Sequence, residues 1–270
     1  MTVKTVDIHT DHTTAKLTTY FLDNSPEMDA DRKRPVVLVC PGGGYAFTSD
    51  REAEPVAIRM CAMGFHACVL RYSVEPERFP TSLWELAASV AWLREHSEEY
   101  HIDAEQIVVC GFSAGGHLVC SLGTFWNKAF LREATGLAGE QMRPDRLILC
   151  YPVITSGEFA HRGSFDSVLG ERAQDSEMLE LLSLEKQVTG DMPPVFLWHT
   201  FADTCVPVEN SLLLADAMRK AGVPFELHIF PEGGHGLSLA NEETDCAAGG
   251  TIVKECAVWP ELAGDWIRRK

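Results

Sequence analysis

A serine, an aspartate and a histidine stand in this chain where they could share a proton. Ser113 lies in "IVVCGFSAGGHLVC", residues 107–120, with Gly111 before it and Gly115 and Gly116 after it. An apolar run leads into the first glycine, and a helical apolar pattern resumes after the serine. G-x-S-x-G at a strand-to-helix turn holds a serine with Oγ projecting above a sheet. Small neighbours let backbone pass close by while the serine keeps an unfavourable conformation. That context favours a nucleophile over an ordinary Gly-rich turn with a capping serine.

A hydroxyl is a weak nucleophile until a base takes its proton. In a sheet of this kind the acid and the histidine follow the serine, each after a late strand. "PVFLWHTFADTCVP" places Asp203 just past one apolar run, and "PFELHIFPEGGHGLSL" places His235 past another. Both then fall at the carboxyl ends of strands, the edge where open α/β sheets bind ligands. His199, at the strand end itself, reads as a structural residue that holds the acid loop. His117, one turn beyond Ser113, reads as packing.

A developing oxyanion needs backbone donors. "PGGGY", residues 41–45, offers the N–H groups of Gly42 and Gly43, and Ala114 offers the N–H after the serine. The loop lacks the Lys-Ser/Thr that completes a phosphate-binding loop. Glu52 and Glu54 follow in "SDREAEP" and suit the N-terminus of a helix.

The positioning elements follow from hydrophobic period and breakers. Strands are expected at 15–22, 35–40, 66–73, 106–110, 146–151, 194–200 and 224–230. Helices are expected at 54–64, after Pro80, at 114–125, at 208–220 and near 257–268. Ser82 and Glu85 form a capping-box pattern for the second of these. Alternation from residue 35 onward predicts an α/β fold, a mostly parallel sheet with helices on both faces. Residues 1–270 read as one domain, and 153–192 as a small cap or lid insertion, with a crossover helix with ragged flanks as the open alternative.

The chain has 270 residues, 46% of them hydrophobic and 23% charged, which suits one large core. A net charge of −16 disfavours a nucleic-acid partner, which needs clustered Lys and Arg. No apolar run reaches membrane-span length and the first residues carry no secretory pattern, so neither a membrane nor export is expected. The nine cysteines form no C-x-x-C pair and read as reduced thiols in a cytoplasm.

Together, "PGGGYAFTSDREAEPVA", "LRYSV", "GFSAGGHL", "YPVI", "HTFADTCVPVENS" and "FPEGGHGLSLA" resemble the α/β-hydrolase superfamily. More narrowly the chain is similar to small bacterial esterases grouped with carbohydrate acetyl esterases and acetyl-xylan-esterase-like lipases. The resemblance implies Ser113 as nucleophile, His235 as base and Asp203 as its orienter. It implies an oxyanion hole from Gly42, Gly43 and Ala114, and neither metal nor organic cofactor. Relatives of hormone-sensitive lipase carry His-Gly-Gly-Gly where this chain has Pro41 before its glycines. The expected activity is hydrolysis of short-chain acyl esters, with an acetylated sugar or xylo-oligosaccharide as the small-molecule partner. An amidase such as an aryl formamidase, or a binding protein that has lost catalysis, stays open as an alternative. So does homo-oligomerisation.

Overall fold

The computed structural model describes residues 1–269. Its elements run β1 (Thr2–His9), β2 (Thr14–Phe21), β3 (Arg34–Cys40), α1 (Glu54–Ala62), β4 (His66–Arg71), α2 (Thr81–Glu95), β5 (Ile102–Phe112) and α3 (Ala114–Phe125). There follow α4 (Ala129–Thr135), α5 (Gly139–Met142), β6 (Arg146–Cys150), α6 (Arg162–Leu169), α7 (Ser176–Leu181), β7 (Val195–Thr200), α8 (Glu209–Ala221), β8 (Phe225–Phe230) and α9 (Trp259–Arg268). The eight strands form one sheet in the order β1-β2-β4-β3-β5-β6-β7-β8. β1 pairs antiparallel with β2 and β2 with β4; the other pairs are parallel. This is the α/β-hydrolase fold.

The continuous apolar strands are sorted residue by residue between two cores, because side chains alternate across a sheet. Val36 and Leu38 of β3 and Ile107 and Val109 of β5 face the core shared with α2, α3 and α8. Val37, Val39, Val108 and Cys110 face the core shared with α1 and α9. Both faces being covered explains why the central strands carry no polar alternation.

Three expectations need correction. β1 was not foreseen: Ile8 is its only buried residue, so this edge strand shows no apolar period. Ser82 and Glu85 do not cap α2, whose N-cap is Pro80. Glu85 is instead fully buried and accepts the Ser73 N–H at 2.6 Å and the Thr13 hydroxyl at 2.7 Å. Third, β5 is longer than its apolar run, beginning at Ile102 rather than at 106.

The segment between β6 and β7 is helical in part and packs one side against the domain. Phe165, Val168, Leu169, Met178 and Leu184 are buried in the same core as α2 and α3. All nine cysteines are unpaired thiols, seven of them buried. Among the described residues no helix is long and apolar enough to cross a membrane.

Candidate active site

Ser113 sits between β5 and α3 with φ 52° and ψ −116°, a conformation that costs a non-glycine residue free energy. The surroundings hold it there. Its N–H donates to the Cys150 carbonyl at 3.0 Å, and its carbonyl accepts from His117 and Val153, each at 3.1 Å. The glycines are required by proximity. A Cβ on Gly111 would lie 2.3 Å from the Gly115 carbonyl oxygen, and one on Gly115 would lie 2.2 Å from that of Cys40.

His235 Nε2 lies 2.7 Å from Ser113 Oγ, and His235 Nδ1 lies 2.6 Å from Asp203 Oδ2. Asp203 is 4% exposed. Its Oδ1 accepts the N–H groups of Cys205 at 2.9 Å and Val206 at 3.0 Å. Burial works to raise its pKa, but hydrogen bonds from His199 and His235 outweigh this and hold the carboxyl far below its ordinary range. An ionised carboxylate only accepts, so the neutral imidazole carries its proton on Nδ1 and turns a bare Nε2 toward the serine. Such a row can take the serine proton as Oγ attacks a carbonyl carbon.

His199 braces the acid loop from behind. Its Nε2 lies 2.9 Å from the Val206 carbonyl and 3.3 Å from Asp203 Oδ2, while Nδ1 lies 2.7 Å from Ser211 Oγ. His117 is buried between Tyr45 and Leu182. Its Nε2–H donates to the Leu182 carbonyl at 3.0 Å, so Nδ1 accepts from the Tyr45 hydroxyl at 2.9 Å. Burial pushes its pKa down to about 4, which keeps the ring neutral near pH 7. Both histidines therefore hold structure, as their positions in the sequence suggested.

The Gly loop differs from expectation at one residue. Gly42 donates its N–H to Glu52 Oε2 at 2.8 Å and cannot also serve an oxyanion. Its missing side chain serves packing: a Cβ there would meet Glu52 Oε2 at 2.7 Å and the Phe112 carbonyl oxygen at 2.8 Å. The N–H groups of Gly43 and Ala114 have no protein acceptor among the described residues. Gly43 has φ 131°, and a Cβ on it would strike the Phe47 carbonyl oxygen at 2.2 Å. The Tyr72 hydroxyl fixes the start of the loop by donating to the Pro41 carbonyl at 2.6 Å.

Glu52 is more than the helix-terminal acid its sequence position suggests. It is 4% exposed, and its Oε1 accepts the Tyr151 hydroxyl at 2.7 Å. Tyr151 in turn accepts the Ser238 N–H at 2.8 Å and packs edge-on against His235, 5.1 Å between centroids. One carboxylate thus joins the Gly loop to the histidine loop. Glu54 does begin α1, and it accepts the Tyr20 hydroxyl at 3.1 Å.

His161 escaped the sequence reading. It caps α6, with Nδ1 2.8 Å from Ser164 Oγ. Burial, and then the neighbouring His235, lower its pKa, so this insertion residue feels the Ser113–His235–Asp203 row. Ser164 Oγ lies 3.9 Å from the position a Gly44 Cβ would take. The first turn of α6 therefore stands beside both the Gly loop and His235. Among the described residues no group of three or more His, Cys, Asp or Glu is arranged to hold a metal ion.

The model of the BD-FAE family matches residues 22–218. Endo-1,4-beta-xylanase B of Butyrivibrio fibrisolvens is 41% identical over 79% of this chain and 34% of its own length. The chain spans from about a third to about half the length of the first curated relatives it matches. Among solved structures, an acetyl ester-xyloside bifunctional hydrolase from Caldicellulosiruptor lactoaceticus superposes with a TM-score of 0.81 at 39% identity, covering 95% of this chain and 88% of that one. The carboxylesterase Cest-2923 from Lactobacillus plantarum superposes with a TM-score of 0.89 at 31% identity, covering 99% and 97%.

Proposed function

The chain belongs to the BD-FAE family, and on that premise we propose that it is a serine carboxylic-ester hydrolase working through Ser113, His235 and Asp203. The observation that carries this reading is the unbroken row of short hydrogen bonds, 2.7 Å from Ser113 to His235 and 2.6 Å on to Asp203. Ser113 Oγ attacks the ester carbonyl as His235 Nε2 takes its proton. Asp203 keeps the imidazole in the productive tautomer and stabilises the imidazolium. The N–H groups of Gly43 and Ala114 hold the oxyanion. His235 then protonates the leaving alcohol, and a water it activates releases the acid.

The substrate class is a short acyl ester on a sugar. The likeness to an acetyl ester-xyloside hydrolase supports an acetylated xyloside. The packed 153–192 insertion acts as a cap, with His161 and Ser164 at its inner edge. The test is Ser113→Ala on p-nitrophenyl acetate and on acetylated xylo-oligosaccharides, with fluorophosphonate labelling of the parent chain. The variant folds normally and loses about 10³-fold or more in kcat. Near-normal turnover by it, or no label on Ser113, removes the assignment.

A further inference from the structure

A basic cleft lies at the opposite edge of the sheet. Arg34 begins β3 and Arg146 begins β6, both at amino ends, whereas Ser113 follows the carboxyl end of β5. A strand the length of β3 separates the two edges by roughly 20 Å. Here a cleft of about 360 Å³ is lined by Arg32, Lys33, Arg34, Arg146, Arg268 and Arg269 and, among the described residues, by no carboxylate, although Lys33, Arg268 and Arg269 pair with Glu98, Asp265 and Glu226 outside it. In a chain of net charge −16 that concentration of cations needs a reason.

The cleft is built rather than accidental. Arg34 is 7% exposed, donates to Asn24 Oδ1, and leaves its Nε buried without any partner. Burial, and then the neighbouring Arg32, lower its pKa, while Asp29 acts the other way. Arg32, Arg34 and Arg146 have no ion-pair partner among the described residues; Asp29 and Asp145 act on Arg34 and Arg146 only from beyond that range. Backbone carbonyls hold two of these guanidinia in place. Arg146 donates to the Trp266 carbonyl at 2.7 Å and to that of Arg269 and stacks over the Trp266 ring, and Arg268 donates to Met63 at 2.7 Å and stacks over Phe65. Fixed, planar guanidinium forks match the paired oxygens of phosphate groups.

We propose that this cleft binds a small, multiply charged phosphate-type oxyanion through Arg34, Arg32, Arg146 and Arg268. The site is independent of the ester chemistry, because no residue is shared.

The test is calorimetric titration of the full chain with inorganic pyrophosphate at low ionic strength. One saturable site is expected, its affinity falling as sodium chloride is added. The double variant Arg32→Gln/Arg268→Gln changes exposed residues, keeps p-nitrophenyl acetate hydrolysis, and weakens pyrophosphate by about tenfold or more. Arg34→Gln removes the orphan donor but also the Asn24 contact, so the double variant carries the test if that chain fails to fold. Ser113→Ala binds pyrophosphate as the parent does. The proposal is overturned by no saturable binding, by equal binding in the double variant, or by loss of binding in Ser113→Ala.

Discussion

Glu52 accepts the Gly42 N–H at 2.8 Å from inside the protein and takes the Tyr151 hydroxyl on its other oxygen. A buried carboxylate spanning the Gly loop and the Tyr151–Ser238 corner fixes the distance between the proposed oxyanion donor Gly43 and His235. Glu52→Ala leaves the Gly42 N–H and the Tyr151 hydroxyl without this acceptor, each costing about 1–3 kcal/mol. The expected outcome is a lower urea midpoint together with a fall in kcat of about tenfold or more, since a small misplacement of donors is expensive. If urea unfolding shows the loss of stability while kcat stays at the parent value, Glu52 supports the fold but does not position the donors.

The second prediction separates the two histidines that face Asp203. Asp203→Asn offers an amide where His235 needs a carboxylate, so the ring adopts the wrong tautomer. A loss of about 10⁴-fold in kcat with little change in KM is expected. His199→Gln removes a brace and leaves the Ser113–His235–Asp203 row intact; it lowers stability with a far smaller effect on kcat. Steady-state kinetics and thermal melts of both variants check this. A crippled His199→Gln with an active Asp203→Asn would exchange their roles.

What the sequence could and could not reveal follows from the range of each interaction. The Ser113 elbow is local: Gly111 and Gly115 lie within two residues of it, and their crowding is written in the order of residues. That Asp203 and His235 would stand in line with Ser113 was legible because each follows an apolar strand, and the chain order narrows the choice. The role of Glu52 was not, since Tyr151 reaches it from ninety-nine positions away. The same holds for Glu85, whose partner Thr13 is seventy-two positions distant. A local pattern suggested a place at a helix N-terminus in both cases, and a long-range buried contact claimed the side chain. Gly42 failed for the same reason, because a glycine in a loop says nothing about which carboxylate takes its N–H.

Acid should loosen the fold before carboxylates titrate. His117 and His66 are buried, and burial depresses each pKa to about 4. His66 Nδ1 accepts the Leu22 N–H at 3.1 Å, which a charged ring cannot do. The unfolded chain binds these protons first, at about pH 6.5, while the folded chain resists until about pH 4. The stability present above pH 6.5 is therefore lost between about pH 6.5 and 4, by on the order of a few kcal/mol. Urea midpoints measured across that range should fall, and His66→Gln should flatten the slope. A midpoint independent of pH from 7 to 4.5 would contradict the buried neutral rings.

The last prediction concerns acyl length. An open apolar groove would favour longer chains, by about 0.8 kcal/mol for each methylene buried. The region beside the Gly loop is not open. Tyr45, His117, Val153, Ser164, Phe165 and Val168 close around a gap with no room for a water molecule. A long acyl chain there must push aside Phe165, which packs edge-on against His117 at 5.5 Å, and overpacking costs about 1–3 kcal/mol. kcat/KM on p-nitrophenyl esters should therefore be highest for acetate and drop steeply beyond butyrate. Val168→Ala widens the gap with less damage than removing Phe165, and should raise the octanoate-to-acetate ratio. A C2, C4 and C8 series on both chains at pH 7–8 gives the answer. If octanoate were the best ester of the parent chain, the acyl group would run along the surface, and these six residues would have no part in selecting it.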